Sequence, residues 1–335
     1  MRTITLAQVG CGYWGPNLLR NFNALPGCRV AWLVEPDPAR QKFAQAAIPG
    51  LRVTSSLAEV LAATEVDGVV IATPAATHFE LAMQCLTAGK HVFVEKPLAT
   101  RVSEVDAIEQ LARTKNCVVM AGHTFLFNNA VRYVRKLIER GELGDLRYIY
   151  SQRLNLGRVR SDIDALWNFA PHDISIIQYW LGDPSPLAVH RTGVAFLQKE
   201  IEDVVFLSVR YPNKVMANIH VSWVDPQKVR KIVVVGSKKM VVYDDVAEDK
   251  IAIFDKGVDR VAKVGENMDY DAPGNWNFNY RSGDVLLPKI DWVEPLRVEA
   301  QHFVDCIRQA ATPLTGLAHA RQVVSILEQA TATRT

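Results

Sequence analysis

The residues Gly10-Cys11-Gly12-Tyr13-Trp14-Gly15 have the spacing of a main-chain cradle for a pyrophosphate. The first glycine permits a tight turn and the second lets a phosphate approach the backbone. The third lets the following helix pack closely on the preceding strand. Pro16 suits the first turn of that helix, whose unpaired amides would face the phosphates. Glu35 follows Gly15 by twenty residues, at the end of the next apolar run. A carboxylate there accepts hydrogen bonds from adenosine ribose hydroxyls and repels a 2′-phosphate, which favours NAD over NADP. Asp37 adds to that repulsion. Arg40 is the one nearby cation that opposes it, and a solvated arginine in the first turn of a helix is its competing reading.

Hydrophobic periodicity supplies the elements that must hold this loop. Short apolar runs at 4–9, 30–34, 68–72, 91–94 and 117–121 read as strands, and 68–72 is apolar almost throughout, as a strand buried on both faces should be. Helical patterns fill the gaps at 16–25, 38–47, 57–63, 77–88 and 103–115. Strict alternation of strand and helix implies parallel strands with right-handed crossovers, an α/β Rossmann domain with a doubly wound sheet. A further helix spans 128–140, and the texture then changes. Strand-like runs at 146–154, 187–195, 204–211, 215–224, 231–235, 240–243 and 251–254 have few helices among them, 173–181 being one. They predict an α+β domain with a large, open, mostly antiparallel sheet. The segment 265–288 shows no period and reads as a long loop that is functional or ordered by a neighbouring subunit. Two helices, 296–311 and 317–332, close the chain. The expected division is a cofactor domain over 1–123, a substrate and oligomerisation domain over 124–312, and a C-terminal helix over 313–335 returning to the first domain.

The whole chain excludes several classes. Its 335 residues are 49% apolar and 22% charged, enough to bury the cores of two domains. The 38 basic and 36 acidic residues are well mixed, so neither nucleic acid nor an anionic membrane is an expected partner. Five cysteines without a CxxC pair suggest no disulfide framework and no zinc ribbon, which fits a reducing cytoplasm. The N-terminus lacks the features of a signal peptide, and no apolar run is long enough to cross a membrane. The histidines show no metal-ligand spacing, so no metal is expected.

The stretches Ala72-Thr73-Pro74-Ala75-Ala76-Thr77-His78 and Ala88-Gly89-Lys90-His91-Val92-Phe93-Val94-Glu95-Lys96-Pro97-Leu98-Ala99 resemble the glucose–fructose oxidoreductase/inositol dehydrogenase/MocA family. The Glu-Lys-Pro tripeptide after a strand is its most recognisable mark. The resemblance extends over the chain through Gly141-Glu142-Leu143-Gly144 and the closing helices. It implies that Thr73, Pro74, His78, Glu95 and Lys96 join Gly10, Gly12, Tyr13, Trp14, Gly15 and Glu35 around NAD. It also implies a cis bond before Pro97. Segments around Gly122–Asn128, 153–158, 167–173 and 283–288 look most like the sugar-nucleotide 3-dehydrogenases of that family. Those enzymes oxidise the 3-hydroxyl of a UDP-N-acetylhexosamine, or of its uronic acid, ahead of an aminotransferase in lipid A or surface-polysaccharide synthesis.

Such an oxidation needs a hydride acceptor, a base for the hydroxyl proton and a donor for the developing alkoxide. Lys96, at the carboxyl end of a parallel strand, suits the last role. His172 is the candidate base, because imidazole titrates near neutrality. The family pattern before it is Asp-x-Gly-x-His, whereas this chain has Asn168-Phe169-Ala170-Pro171-His172, so the residue that orients the imidazole is open. Asn168 offers a hydrogen bond without charge, and Asp173 is adjacent. Arg153, Arg158 and Arg160 suit the pyrophosphate of a UDP-sugar; a loop ion-paired with Asp162 and Asp164 is the equal alternative. His123 and Asn128 are further candidates to contact substrate or nicotinamide, with a buried, hydrogen-bonded His123 as the equal alternative. The implied protein is an NAD-dependent dehydrogenase, a dimer or tetramer, acting on UDP-N-acetylglucosamine. The alternatives are a uronate, free-sugar or inositol dehydrogenase, or a non-catalytic NAD-binding sensor or corepressor.

Overall fold

The computed structural model describes residues 2–262 and 276–333. Its first sheet is parallel and contains β1 (Ile4–Val9), β2 (Cys28–Val34), β3 (Arg52–Thr54), β4 (Gly68–Ile71), β5 (His91–Glu95) and β6 (Val119–Gly122), in the order β3-β2-β1-β4-β5-β6. Helices α1 (Gly15–Asn23), α2 (Pro38–Ala47), α3 (Leu57–Ala62), α4 (His78–Thr87) and α5 (Val102–Lys115) make the connections. β1 and β4 are buried along their whole length. Helices on both faces of a parallel sheet leave no exposed face to alternate with, hence the continuous apolar runs. This is the doubly wound sheet expected from the sequence. Its strand order reverses between β1 and β4, and ligands bind such sheets outside the carboxyl ends of the strands at that point. β3 was not foreseen, because three residues, none of them fully buried, display no period.

After α6 (Asn129–Glu139) the chain forms β7 (Leu146–Leu156), α7 (Ala165–Leu181), β8 (Ala188–Val194), β9 (Val204–Arg210), β10 (Met216–Ser222), β11 (Val224–Gly236), β12 (Met240–Asp244), β13 (Ile251–Ala262) and β14 (Trp276–Leu286). The strands make one sheet in the order β14-β13-β12-β11-β7-β10-β9-β8, antiparallel except where β10 runs parallel to β7. Burial alternates along β9, with Val205, Leu207 and Val209 inside and Phe206 and Arg210 outside. That alternation is what a sheet with one covered face requires.

Two expectations fail here. Residues 276–286 of the supposed loop are β14, whose order comes from pairing with β13 and not from any internal period; residues 263–275 lie outside the described residues. The helix expected over 173–181 starts at Ala165 and carries Pro171 in its interior. Asp164 caps its first turn by accepting the Trp167 N–H at 2.9 Å. The burial of Ala165, Leu166, Ala170 and Ile174 outweighs the ladder bond that proline removes.

The chain divides into two compact units, Met1–Asn129 with Ile174–Pro184 and Trp292–Thr333, and Ala130–Asp173 with Ser185–Asp291. The last part of α7 and the helix α8 (Pro295–Ile307) therefore belong with the first sheet, not with the second as the division at 123 and 312 supposed. The physical reason is a buried aromatic trio, Phe22 on α1, Phe93 on β5 and Phe303 on α8, with ring centroids 5.6–6.1 Å apart. The last helix, α9 (Leu317–Ala332), is also in this unit. It is preceded by Thr315, whose hydroxyl donates to the Ala121 carbonyl at 2.6 Å.

Candidate active site

The glycine loop leaves β1 at the point where the strand order reverses. Gly10 has φ +89°, and a Cβ there would lie 2.8 Å from the Ala72 carbonyl oxygen. Only glycine fits both constraints. A Cβ on Gly15 would lie 2.8 Å from the Gly10 carbonyl oxygen, which is the close helix–strand approach. Gly12 is different: a Cβ there would meet nothing nearer than Arg40 Nη1 at 3.9 Å. The space beside its backbone is open to a phosphate, so the loop fits a dinucleotide. Gln8 braces the turn from beneath, its amide donating to the Gly10 and Gly15 carbonyls at 2.8 and 2.9 Å. Sequence reasoning overlooked Gln8, although a fully buried amide in an apolar strand is a visible anomaly.

Glu35 sits at the carboxyl end of β2 and is almost fully buried. Its carboxylate accepts the Cys11 N–H at 2.7 Å and the Asp37 N–H at 3.1 Å, which ties the glycine loop to the second strand. Arg40 lies 3.9 Å from Glu35 and 3.5 Å from Asp37, so it is an ion-paired residue of the first turn of α2. Tyr13 is exposed and Trp14 partly so, as residues flanking a ligand crevice can be.

The loops after β4 and β5 close the other side. Thr73 and Pro74 lead into α4, and the Lys96–Pro97 peptide is cis. His78 is buried, with Nδ1 2.7 Å from the Pro97 carbonyl oxygen and Nε2 2.9 Å from that of Thr73. It ties the two loops together and is not a surface for cofactor, which revises its expected role. Burial lowers its pKa, and a neutral ring makes one of these contacts a hydrogen bond.

Glu95 and Lys96 end β5, opposite Gly122 on β6. The Glu95 carboxylate accepts the Lys96 N–H at 3.2 Å, and the Trp14 indole N–H acts on it as a second, smaller influence. Burial lifts its pKa to about 7, against the pull of the Lys96 ammonium and both donors. His123 follows β6, fully buried, with its ring edge-on to that of His319 on α9 at 5.4 Å. Burial, then His319 and Lys96, hold it well below the usual imidazole range, so it stays neutral. His319 in turn contacts Ser175 Oγ at 2.8 Å and Asp183 Oδ1 at 2.7 Å.

In the second unit, α7 carries Asn168 and His172 one turn apart, a spacing that puts both on one helix face. Asp173 is not the partner of His172. Arg153 on β7 holds it through a fork, Nε to Oδ2 at 2.6 Å and Nη2 to Oδ1 at 3.3 Å, with both side chains buried. Arg153 is therefore withdrawn from the expected phosphate-binding cluster. Arg160 pairs with Asp162 at 2.6 Å on the surface, and Arg158 is exposed. Arg191, buried, pairs with Asp164 and Glu202. Among the described residues no group of three or more His, Cys, Asp or Glu side chains is placed to hold a metal ion, and no helix is long and apolar enough to cross a membrane.

Comparison with known proteins identifies the two domains and the fold. Residues 4–123 match the oxidoreductase family with an NAD-binding Rossmann fold, and residues 131–242 match the GFO/IDH/MocA C-terminal domain. The chain is similar to inositol 2-dehydrogenase 2 of Saccharopolyspora erythraea, with 29% identity over 65% of this chain and 66% of that protein. It is similar to UDP-N-acetylglucosamine 3-dehydrogenase of Acidithiobacillus ferrooxidans, with 31% identity over 50% of this chain and 52% of that one. The chain thus spans half to two thirds of these relatives' length. The solved structure of the latter enzyme superposes with a TM-score of 0.82, 21% identity and coverage of 100% of this chain and 98% of that one, which establishes the shared fold.

Proposed function

The chain belongs to the glucose–fructose oxidoreductase/inositol dehydrogenase/MocA family and binds NAD, and from that premise we propose that it is a dehydrogenase for a secondary alcohol of a sugar nucleotide. The preferred substrate is UDP-N-acetylglucosamine, oxidised at the 3-hydroxyl to the 3-keto sugar. The observation that carries the reading is Lys96 at the carboxyl end of β5, in the same row of strand ends as the glycine loop and Glu35.

Bound NAD supplies the hydride acceptor. Lys96 donates a hydrogen bond to the alcohol oxygen, and this bond strengthens as negative charge develops there. His172 takes the hydroxyl proton, which requires its neutral ring, and Asn168 one turn earlier is the candidate to orient it. With Arg153 committed to Asp173, Arg158 and Arg160 are left as the cations for the pyrophosphate. The uncovered face of the second sheet supports association with a second copy. Tyr148 stacks on Tyr150 there, Phe206 stacks on His220, and Met216 is exposed beside them.

The sequence match to an inositol dehydrogenase covers more of the chain than the sequence match to the sugar-nucleotide enzyme, which keeps a free polyol or sugar as the second reading. Following NADH formation with UDP-N-acetylglucosamine, its uronate, free N-acetylglucosamine and inositol separates the two. Turnover that needs the UDP group is expected. Turnover of the free compounds without any of the UDP-sugars overturns the proposal.

A further inference from the structure

The first unit contains a buried carboxyl group that the reaction above does not use. Glu299 lies on α8 between Leu296 and Phe303, with no exposure to solvent. Its Oε2 accepts a 2.6 Å hydrogen bond from Thr124 Oγ1, and its Oε1 is buried with no partner among the described residues. Glu95 is in the same condition: Oε2 is occupied by the Lys96 N–H, while Oε1 is buried and unpartnered among the described residues. Both carboxyl groups pack on one short segment. A Cβ on Gly122 would sit 3.2 Å from Glu95 Cδ and Oε1, and Thr124, two residues on, holds Glu299.

An ionised carboxylate offers acceptors only. Two such groups packed on the 122–124 segment, each with one buried oxygen unsatisfied, carry a desolvation cost, and the charge of one acts on the other; one proton relieves both. We propose that Glu299 is a positioning residue kept as the neutral acid, so that Glu95 and Glu299 together hold a single negative charge near Lys96. The functional consequence rests on the role given to Lys96 above. One counter-charge balances the ammonium. A second would hold it back from the alkoxide, and none would release it.

The surroundings agree with this. Burial, and then the Glu95 charge, push the Glu299 carboxyl well above the usual carboxylate range, with Thr124 opposing. Lys96 from the end of β5 and Trp14 from the glycine loop act on Glu95, and Thr124 after β6 holds Glu299; His123, the residue before Thr124, lies near Lys96 and against His319 from α9. His123 is held neutral, so it adds no charge to the balance.

Infrared spectroscopy of the full chain at mildly alkaline pH reads the proton directly and does not depend on turnover. The wild type is expected to show the carbonyl stretch of a protonated carboxylic acid. Glu299→Gln loses it, and Lys96→Ala keeps it. In kinetics, the alkaline limb of the kcat profile, where Glu299 ionises, is expected to vanish in Glu299→Gln. Should that variant fail to fold, Thr124→Val serves instead: removing the donor that favours the ionised form moves the loss of the band to higher pH. Absence of the band in the wild type, or a band unchanged in Glu299→Gln, overturns the inference and leaves the assignment of Lys96 standing. A band that behaves as expected together with full turnover in Lys96→Ala overturns the assignment and keeps the proton.

Discussion

The two units use charge in opposite ways. In the first, the ionisable groups assigned to the cofactor and the reaction lie at the carboxyl ends of parallel strands, Glu35 after β2, Glu95 at the end of β5 and Lys96 after it, where turns and glycines set their places. In the second, charges are buried in pairs within the unit: Arg153 with Asp173, Arg191 with Asp164 and Glu202, and Asp203 with the Trp223 indole and the Phe196 and Leu197 amides. A group placed by a local turn takes its role from its neighbours in sequence. A group placed by a partner twenty residues away takes it from the fold.

That contrast is open to test by substitution. Arg153→Ala leaves the Asp173 carboxylate buried without its partner and is expected to cost about 3–5 kcal/mol, read by denaturant unfolding. If stability stays the same while substrate binding weakens, Arg153 is a ligand contact and the contrast collapses. In the first unit the glycines separate structural need from ligand need. Gly10→Ala forces a side chain into positive φ against the Ala72 carbonyl, with an expected loss of about 1–3 kcal/mol as well as weaker NADH binding. Gly12→Ala meets open space, so its stability should change by less than about 0.5 kcal/mol, while fluorescence titration shows a clear loss of NADH affinity. Equal stability losses at the two positions would mean that Gly12 is structural and that the cradle has been misplaced.

The same contrast explains which features are legible in the sequence. The glycine spacing, the acidic residue at the end of β2 and the alternation of strand and helix are local patterns, and the doubly wound sheet follows from them. So does the open, mostly antiparallel second sheet, from consecutive strands without crossovers. What escaped was set by distant packing. β14 owes its order to β13, α7 continues through Pro171 because its flanks are buried, and α8 joins the first unit through the Phe22, Phe93 and Phe303 rings. The basic cluster before His172 looked uniform in sequence, yet it comprises a buried ion pair at Arg153, a surface pair at Arg160 and an exposed Arg158. Glu299 did leave a trace, an acidic residue in the apolar stripe of a helix, but its meaning depends on Thr124 and Glu95, more than a hundred residues away.

The central claim is that Lys96 acts on the reacting oxygen while the glycine loop holds the cofactor, and steady-state kinetics of Lys96→Ala on the accepted substrate tests it most directly. The expected result is a fall in kcat of about 10²–10³-fold with NADH affinity and KM little changed, as befits a donor whose bond matters most in the transition state. An unchanged kcat would contradict the claim.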